Sequence, residues 1–143
     1  MVSSRSIPVV AARPIHRTPM AVANACFIGT LLTDLTYWRT TEMMWADFSA
    51  WLLLAGLVMG ALAVIAALVD FFTRRIFRVR GVYLFGSLVV LVLSFFNALV
   101  HSRDAWTSVV PTGLILSAAA VIVLLLVWLL GWSTGRARVE VVE

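Results

Sequence analysis

Residues 51–80 read WLLLAGLVMGALAVIAALVDFFTRRIFRVR, and this stretch decides the fold. The part from Trp51 to Val69 contains no charged and no polar side chain. Four arginines come soon after it: Arg74, Arg75, Arg78 and Arg80. Because a hydrocarbon core about 30 Å thick takes about 20 helical residues to cross, the stretch is predicted to be a transmembrane helix that ends at a basic surface.

The composition of the whole chain favours a membrane location. Of its 143 residues 62% are hydrophobic and the mean hydropathy is +1.02, whereas soluble domains are about 45–50% apolar. The eleven basic residues are all arginine, and most of them flank hydrophobic runs, so orientation in a membrane explains them better than nucleic-acid binding does. The single cysteine, Cys26, lies in the first apolar stretch, which excludes an intrachain disulfide and a cysteine-based metal site.

Three further apolar runs predict three further helices, so the predicted fold class is an all-α integral membrane four-helix bundle. The transmembrane domain is predicted to cover residues 18–132, with residues 1–17 and 133–143 as tails. The mixed stretch 39–50 is predicted to be a loop in the headgroup region, and Gly135 is predicted to end the last helix. The four helices are expected at about residues 19–38, 51–72, 82–101 and 111–132.

The arginines are distributed unevenly around these helices. Only Arg39 and Arg103 fall in the first and third connections. The positive-inside rule therefore predicts that both termini and the middle loop are cytoplasmic. The nine arginines assigned to that side are Arg5, Arg13, Arg17, Arg74, Arg75, Arg78, Arg80, Arg136 and Arg138.

Small residues along helix two predict how the helices pack. Gly56, Gly60, Ala63 and Ala67 repeat at spacings of three and four, which places them on one face. Because lipid gives helices no hydrophobic reason to associate, close approach at small residues is expected to hold the bundle together, so this face is predicted to point inward. Matching inward faces are predicted from Ser87, Val90, Ser94, Asn97 and His101 on helix three, from Ala23, Thr30 and Asp34 on helix one, and from Gly113, Ser117 and Ala120 on helix four.

Asp34 predicts a polar cluster near the outer boundary. An aspartate at the centre of a bilayer costs about 2.5–3.5 kcal/mol on insertion scales, so it usually has a partner or a purpose. Asp34 lies about 6 Å along the helix from Trp38, and helix three brings Asn97, His101 and Arg103 to the same depth. We therefore predict an outer cluster in which Asp34 pairs with His101 or Arg103 and Asn97 donates across the interface.

Asp70 predicts a second cluster at the opposite, inner boundary. Arg74 lies one turn further along the same helix, and an acid followed by a base at this spacing is locally favourable. His16 is expected to reach this depth from the start of helix one. The inner cluster is therefore predicted to contain His16, Asp70 and Arg74, and either cluster could be a clasp between helices or a site for a substrate, proton or metal.

Several short motifs along the chain carry a family resemblance. Residues 13–17 read RPIHR, Asp34 and Asp70 stand near the ends of their helices, Asn97 precedes an arginine, and residues 131–135 read GWSTG. In these features the chain resembles a family of predicted bacterial membrane proteins, domain of unknown function 2231 (DUF2231). The resemblance implies a four-helix protein of the bacterial inner (plasma) membrane and supplies no established activity.

This sequence departs from the family pattern in its histidines. The family's N-terminal element is His-Pro-x-His-Pro, and its first histidine is Arg13 here. A histidine often found at the start of the third helix is absent around residues 80–83, and residues 136–139 replace a histidine-bearing tail. If the family uses histidines to hold a cofactor or metal, this chain lacks most of them.

Three functions are compatible with these features. The chain is expected to be a non-enzymatic accessory or interaction protein, with the arginines of the middle loop contacting anionic lipid and with a homo-oligomer or a membrane protein as partner. The alternative is translocation of a proton, ion or small solute through an oligomer. A lesser alternative is a haem-binding bundle, which is disfavoured because His16 and His101 are expected at opposite faces. No catalytic, cofactor or metal residue is assigned, and no enzymatic activity is expected.

Overall fold

The computed structural model describes residues 15–73, 81–103 and 109–139, with side chains for 15–73, 82–103 and 109–130. Each of its four long helices is long and apolar enough to cross a membrane. The prediction of an all-α protein with four membrane-spanning helices is therefore confirmed. The helices are α1 (Arg17–Thr40), α2 (Met43–Phe72), α3 (Gly81–His101) and α4 (Leu114–Val139).

The connection between α1 and α2 is much shorter than the sequence predicted. Thr41 has a left-handed backbone (φ 56°) and donates its main-chain N–H to Tyr37 O at 2.7 Å, which ends α1. Helix α2 then begins at Met43, so the prediction of a loop over 39–50 is wrong. The physical reason is packing: Ala46 and Ser49 are buried against α1, so this stretch gains tertiary contacts by being helical.

Both ends of the last helix also differ from the prediction. A kinked segment, Val109–Gly113, precedes α4, and within it Val110 has an extended backbone (φ −113°, ψ 130°). Regular helix therefore begins at Leu114 rather than at Pro111. The prediction that Gly135 ends the helix is wrong, because α4 continues to Val139. A single glycine costs a helix only about 1 kcal/mol relative to alanine, and arginine and alanine, which follow it, are good helix formers.

The helices form a bundle in which α1 packs against α2 and α4, and α3 packs against the same two helices. Helices α1 and α3 therefore lie diagonally across the bundle. The core between them contains residues from every helix. These buried residues are Ala23 and Phe27 of α1, Leu53 of α2, Val90 of α3 and Ala120 of α4.

The outward faces of all four helices are apolar. Large side chains such as Leu62, Phe95, Phe96 and Leu125 are about half exposed on the isolated chain. An apolar exterior around a partly polar interior is the arrangement expected of a bundle whose solvent is lipid.

The predicted small-residue face of α2 does point inward. Gly56, Gly60 and Ala63 are buried and Ala67 is half-buried. A methyl group added at Gly56 would lie 2.6 Å from Phe27 Cε1, and one added at Gly60 would collide with Leu91 of α3. The same face therefore allows close approach of α1 at one glycine and of α3 at the next.

Candidate functional site

Asp34 lies at the centre of a polar cluster that joins three helices. Its side chain is fully buried, and its Oδ1 lies 3.0 Å from His101 Nε2 across the diagonal of the bundle. Its Oδ2 accepts a hydrogen bond from the hydroxyl of Ser117 on α4. Asn97 Nδ2 donates to the same hydroxyl at 3.0 Å. We call Asp34, Asn97, His101 and Ser117 the Asp34 cluster.

The structure brings together most of the predicted outer cluster and changes one member. Of the two partners predicted for Asp34, His101 is the one in contact with it. Arg103 is exposed beyond the end of α3, where its charge can be solvated. Asn97 donates across a helix interface, as predicted, but to Ser117 rather than to Asp34. Ser117 was placed on the inward face of its helix by the sequence and was not assigned to the cluster. No feature of the serine itself distinguishes it from the other small residues of α4.

The hydrogen bonds of His101 limit where protons can be. Its Nδ1 lies 3.0 Å from the main-chain oxygen of Asn97, and a carbonyl oxygen only accepts, so Nδ1 carries a proton. One more proton lies between His101 Nε2 and Asp34 Oδ1, either on the imidazole or on the carboxyl group. Both arrangements leave the pair with no net charge, which reduces the cost of burying it in a membrane.

Asp70 forms a smaller cluster at the other end of the bundle. The Asp70 side chain is fully buried near the end of α2, and its Oδ2 lies 2.8 Å from His16 Nδ1. The same oxygen accepts the main-chain N–H of His16 at 3.2 Å. Asp70 thus caps the N-terminus of α1 from a neighbouring helix, where a carboxylate is favoured by the unpaired N–H groups and by the helix dipole.

The predicted inner cluster is therefore present in part. His16 and Asp70 are in contact, and we call this pair the Asp70 cluster. Arg74 lies outside the described residues, so its place in the cluster stays a prediction, as does lipid binding by Arg75, Arg78 and Arg80. Asp70 Oδ1 is buried and makes no hydrogen bond with any described residue.

An apolar layer separates the two clusters. Asp34 and His16 are 18 positions apart on α1, which corresponds to about 27 Å along a helix. Between them lie Phe27 and Ala23 of α1, packed against Leu53 of α2 and Val90 of α3. Each cluster is thus near one boundary of the hydrocarbon region, with closely packed hydrocarbon in the middle.

The geometry of the two histidines bears on ligand binding. Both ring nitrogens of His101 are engaged within the bundle, so this imidazole would have to break a hydrogen bond to coordinate a metal or a haem iron. His16 uses Nδ1 for Asp70 and is 23% exposed. Within the described ranges, no three His, Cys, Asp or Glu side chains are grouped so that they could hold a metal ion.

These features define a class: a small multi-pass membrane protein with four apolar helices and a buried carboxylate–histidine pair near each end of the bundle. The family model of predicted membrane proteins, DUF2231, matches residues 12–142, and the chain belongs to this family. The resemblance seen in the sequence motifs is therefore confirmed. No curated protein and no solved structure shows significant similarity to the chain.

Proposed function

We propose that this protein is a non-enzymatic accessory or interaction protein of the bacterial inner membrane. The observation that supports the proposal best is that the carboxylates of both clusters are bonded to groups of the same bundle. Asp34 is bonded to His101 and Ser117, and Asp70 is bonded to His16. Such pairs fix the helices relative to one another, and they leave the outward faces as the surface through which the protein acts.

Most of the described polar links between helices involve α1; the exception is Asn97 of α3, which donates to Ser117 of α4. Asp34 links α1 to α3 and α4, Asp70 links it to α2, and Thr33 Oγ1 lies 2.7 Å from Ser49 Oγ of α2. Helix α1 is also the least hydropathic of the four spans. A rigid bundle whose helices are joined by buried polar links, most of them to α1, suits a protein that presents fixed lipid-facing surfaces to a partner or to another copy.

The orientation we propose has both termini and the loop between α2 and α3 in the cytoplasm. Nine of the eleven arginines are then on the cytoplasmic side, as the positive-inside rule requires, and the arginines of the loop between α2 and α3 can contact anionic lipid. A reporter that is active only outside the cytoplasm should be inactive when fused after Glu143 and active when inserted between Thr41 and Glu42. The reverse pattern would overturn the orientation.

Photocrosslinking in intact membranes tests the interaction role. A photoreactive residue at Phe95, Leu125 or Leu62 scans three outward faces, and the buried Val90 is the matched control. We expect one outward position to give a discrete protein adduct that Val90 does not give. Adducts with lipid alone at every outward position, together with a monomer in native mass spectra, would contradict the proposal.

Proton translocation through an oligomer is the second candidate, and the proton held between Asp34 and His101 favours it. The apolar layer argues against a path through a single bundle, because Phe27, Leu53 and Val90 are almost fully buried there. Reconstituted vesicles with a pH-sensitive dye decide between the two. We expect the leak rate of protein-containing vesicles to equal that of empty ones, whereas a faster rate that Asp34→Asn abolishes would establish translocation.

A haem-binding bundle, the lesser alternative, has less support. His16 directly precedes α1 at one end of the bundle, whereas His101 is the last residue of α3 at the other end. Both ring nitrogens of His101 are already engaged. We expect the protein purified from haem-supplemented cells to lack a Soret band. A Soret band that His101→Ala removes would show that the Asp34 cluster opens to bind haem.

A further inference from the structure

Two polar atoms on α3 lie buried next to the Asp34 cluster without a hydrogen-bond partner among the described residues. They are Asn97 Oδ1 and Ser94 Oγ, and each residue is only 1% exposed. Leaving such a group unpaired costs about 1–3 kcal/mol, so an orphaned pair calls for a physical explanation.

The helix places the two atoms within reach of one small ligand. Residues three apart share a helix face, with Cβ atoms about 5–6 Å apart, and helical side chains lean toward the N-terminus, so Asn97 leans toward Ser94. Because Asn97 Nδ2 is held by Ser117, the amide cannot turn its oxygen away without losing that bond. A species that bridges the two oxygens must therefore be small, and it must either donate a hydrogen bond to Asn97 Oδ1 or coordinate that oxygen as a cation.

We infer that a single water molecule is bound between Ser94 and Asn97, as a further member of the Asp34 cluster. It donates to Asn97 Oδ1 and exchanges a hydrogen bond with the Ser94 hydroxyl, which can donate or accept. Polar groups then form one hydrogen-bonded chain from His101 through Asp34, Ser117 and Asn97 to Ser94. This chain reaches seven residues along α3, or about 10 Å, toward the middle of the bundle.

Charge distinguishes water from the other occupant that would satisfy two oxygens, a monovalent cation. Asp34 and His101 already neutralise each other, and both oxygens of Asp34 are engaged. A cation beside Asn97 would therefore bring an uncompensated positive charge into a low-dielectric interior, which water does not.

Water-edited solid-state NMR of the full chain in lipid vesicles tests this directly. Magnetisation from water should build up at the side-chain carbons of Ser94 and Asn97 several-fold faster than at Val90, which is equally buried and apolar. Ser94→Val fills the position with hydrocarbon and should reduce the rate at Asn97 to that of Val90. Equal rates at Asn97 and Val90 in the unmodified protein would overturn the inference.

A stability comparison gives an independent test. Ser94→Ala should lower the melting temperature in detergent relative to Ser87→Ala, a control on the same helix two turns away, because it removes a ligand of the bound water. If Ser94 is merely unpaired, removing its hydroxyl would raise the melting temperature, and the inference would fail. The same build-up of water magnetisation at Ser94 and Asn97 can be measured after sodium is replaced by choline. A build-up that disappears without sodium would also overturn the inference, in favour of a hydrated cation.

Discussion

The two carboxylate–histidine clusters use the same chemistry in different surroundings. In the Asp34 cluster both oxygens of the carboxylate are bonded, and the partners come from two other helices. In the Asp70 cluster one oxygen accepts both hydrogen bonds from His16, and the other has no partner among the residues described. The histidine side chains differ in the same sense, with His101 2% and His16 23% exposed.

The difference shows that position in the bundle determines what a buried carboxylate does. Asp34 reaches across the diagonal, so its hydrogen bond with His101 is a polar link between α1 and α3, which do not otherwise pack closely. Asp70 lies where α2 ends and α1 begins, so it supplements a contact that packing already makes and caps a helix end. The Asp34 cluster should therefore contribute more to stability than the Asp70 cluster.

Replacing Asp34 is the largest test of this comparison. Asp34→Ala leaves His101 Nε2 buried without its partner and removes one acceptor of the Ser117 hydroxyl, which keeps the Gly113 carbonyl oxygen, so we expect a loss of about 3–5 kcal/mol in the free energy of unfolding. Asp70→Ala removes a cap and one ring contact and should cost about 1–2 kcal/mol. Helicity followed during denaturant titration in mixed micelles measures both. An equal or larger loss for Asp70→Ala would contradict the ranking.

Packing rather than hydrogen bonding is expected to dominate at the Asp70 end. A Cβ added at Gly86 of α3 would collide with Val127 Cγ2 of α4, and a β-branched side chain on a helix cannot rotate away. Gly86→Ala should therefore cost about 1–3 kcal/mol. The control is Gly29→Ala, where the nearest atom, Leu52 Cδ1, lies 3.2 Å away on a flexible side chain. If Gly86→Ala lowered the free energy of unfolding no more than Gly29→Ala does, the Asp70 end of the bundle would be loosely packed.

Much of this arrangement could be predicted from the sequence, because helix rise and hydropathy set the depth of a residue. The distance of Asp34 from the helix end and the position of His101 near the end of α3 were enough to predict that Asp34 meets His101 or Arg103, but not which of the two it contacts. Ser117 could not be assigned, because its depth depends on the kink at Val110, which apolar periodicity does not reveal. The helical start of α2 was missed for a related reason, since contacts of Ala46 and Ser49 with α1 override the mixed local composition.

Variants that remove one hydrogen-bonding partner from each cluster compare the strength of the two clusters bond by bond. Ser117→Ala removes a donor to Asp34 and leaves the Asn97 amide without its acceptor, whereas His16→Ala leaves the main-chain N–H of residue 16 bonded to Asp70. Measured hydrogen bonds between membrane helices average about 0.6 kcal/mol and reach about 1.7 kcal/mol. We expect Ser117→Ala to approach the upper value and His16→Ala the average, in the same titration. A larger loss of unfolding free energy for His16→Ala than for Ser117→Ala would show that the Asp70 cluster is the stronger of the two.

The smallest effect should come from the unpaired oxygen of Asp70. If Arg74 supplies its partner, as spacing along α2 predicts, Arg74→Gln should cost about 0.2–0.5 kcal/mol, the value of a pair one turn apart on a helix. Arg75→Gln removes the same charge from the neighbouring position and should leave stability unchanged, so the difference between the two variants isolates the pair from the loop's net charge. That difference should vanish in the background of Asp70→Asn, because an amide does not pair with a guanidinium as a carboxylate does. Persistence of the difference in that background would mean that Arg74 acts on lipid or on another group, and that the Asp70 cluster is open at this oxygen.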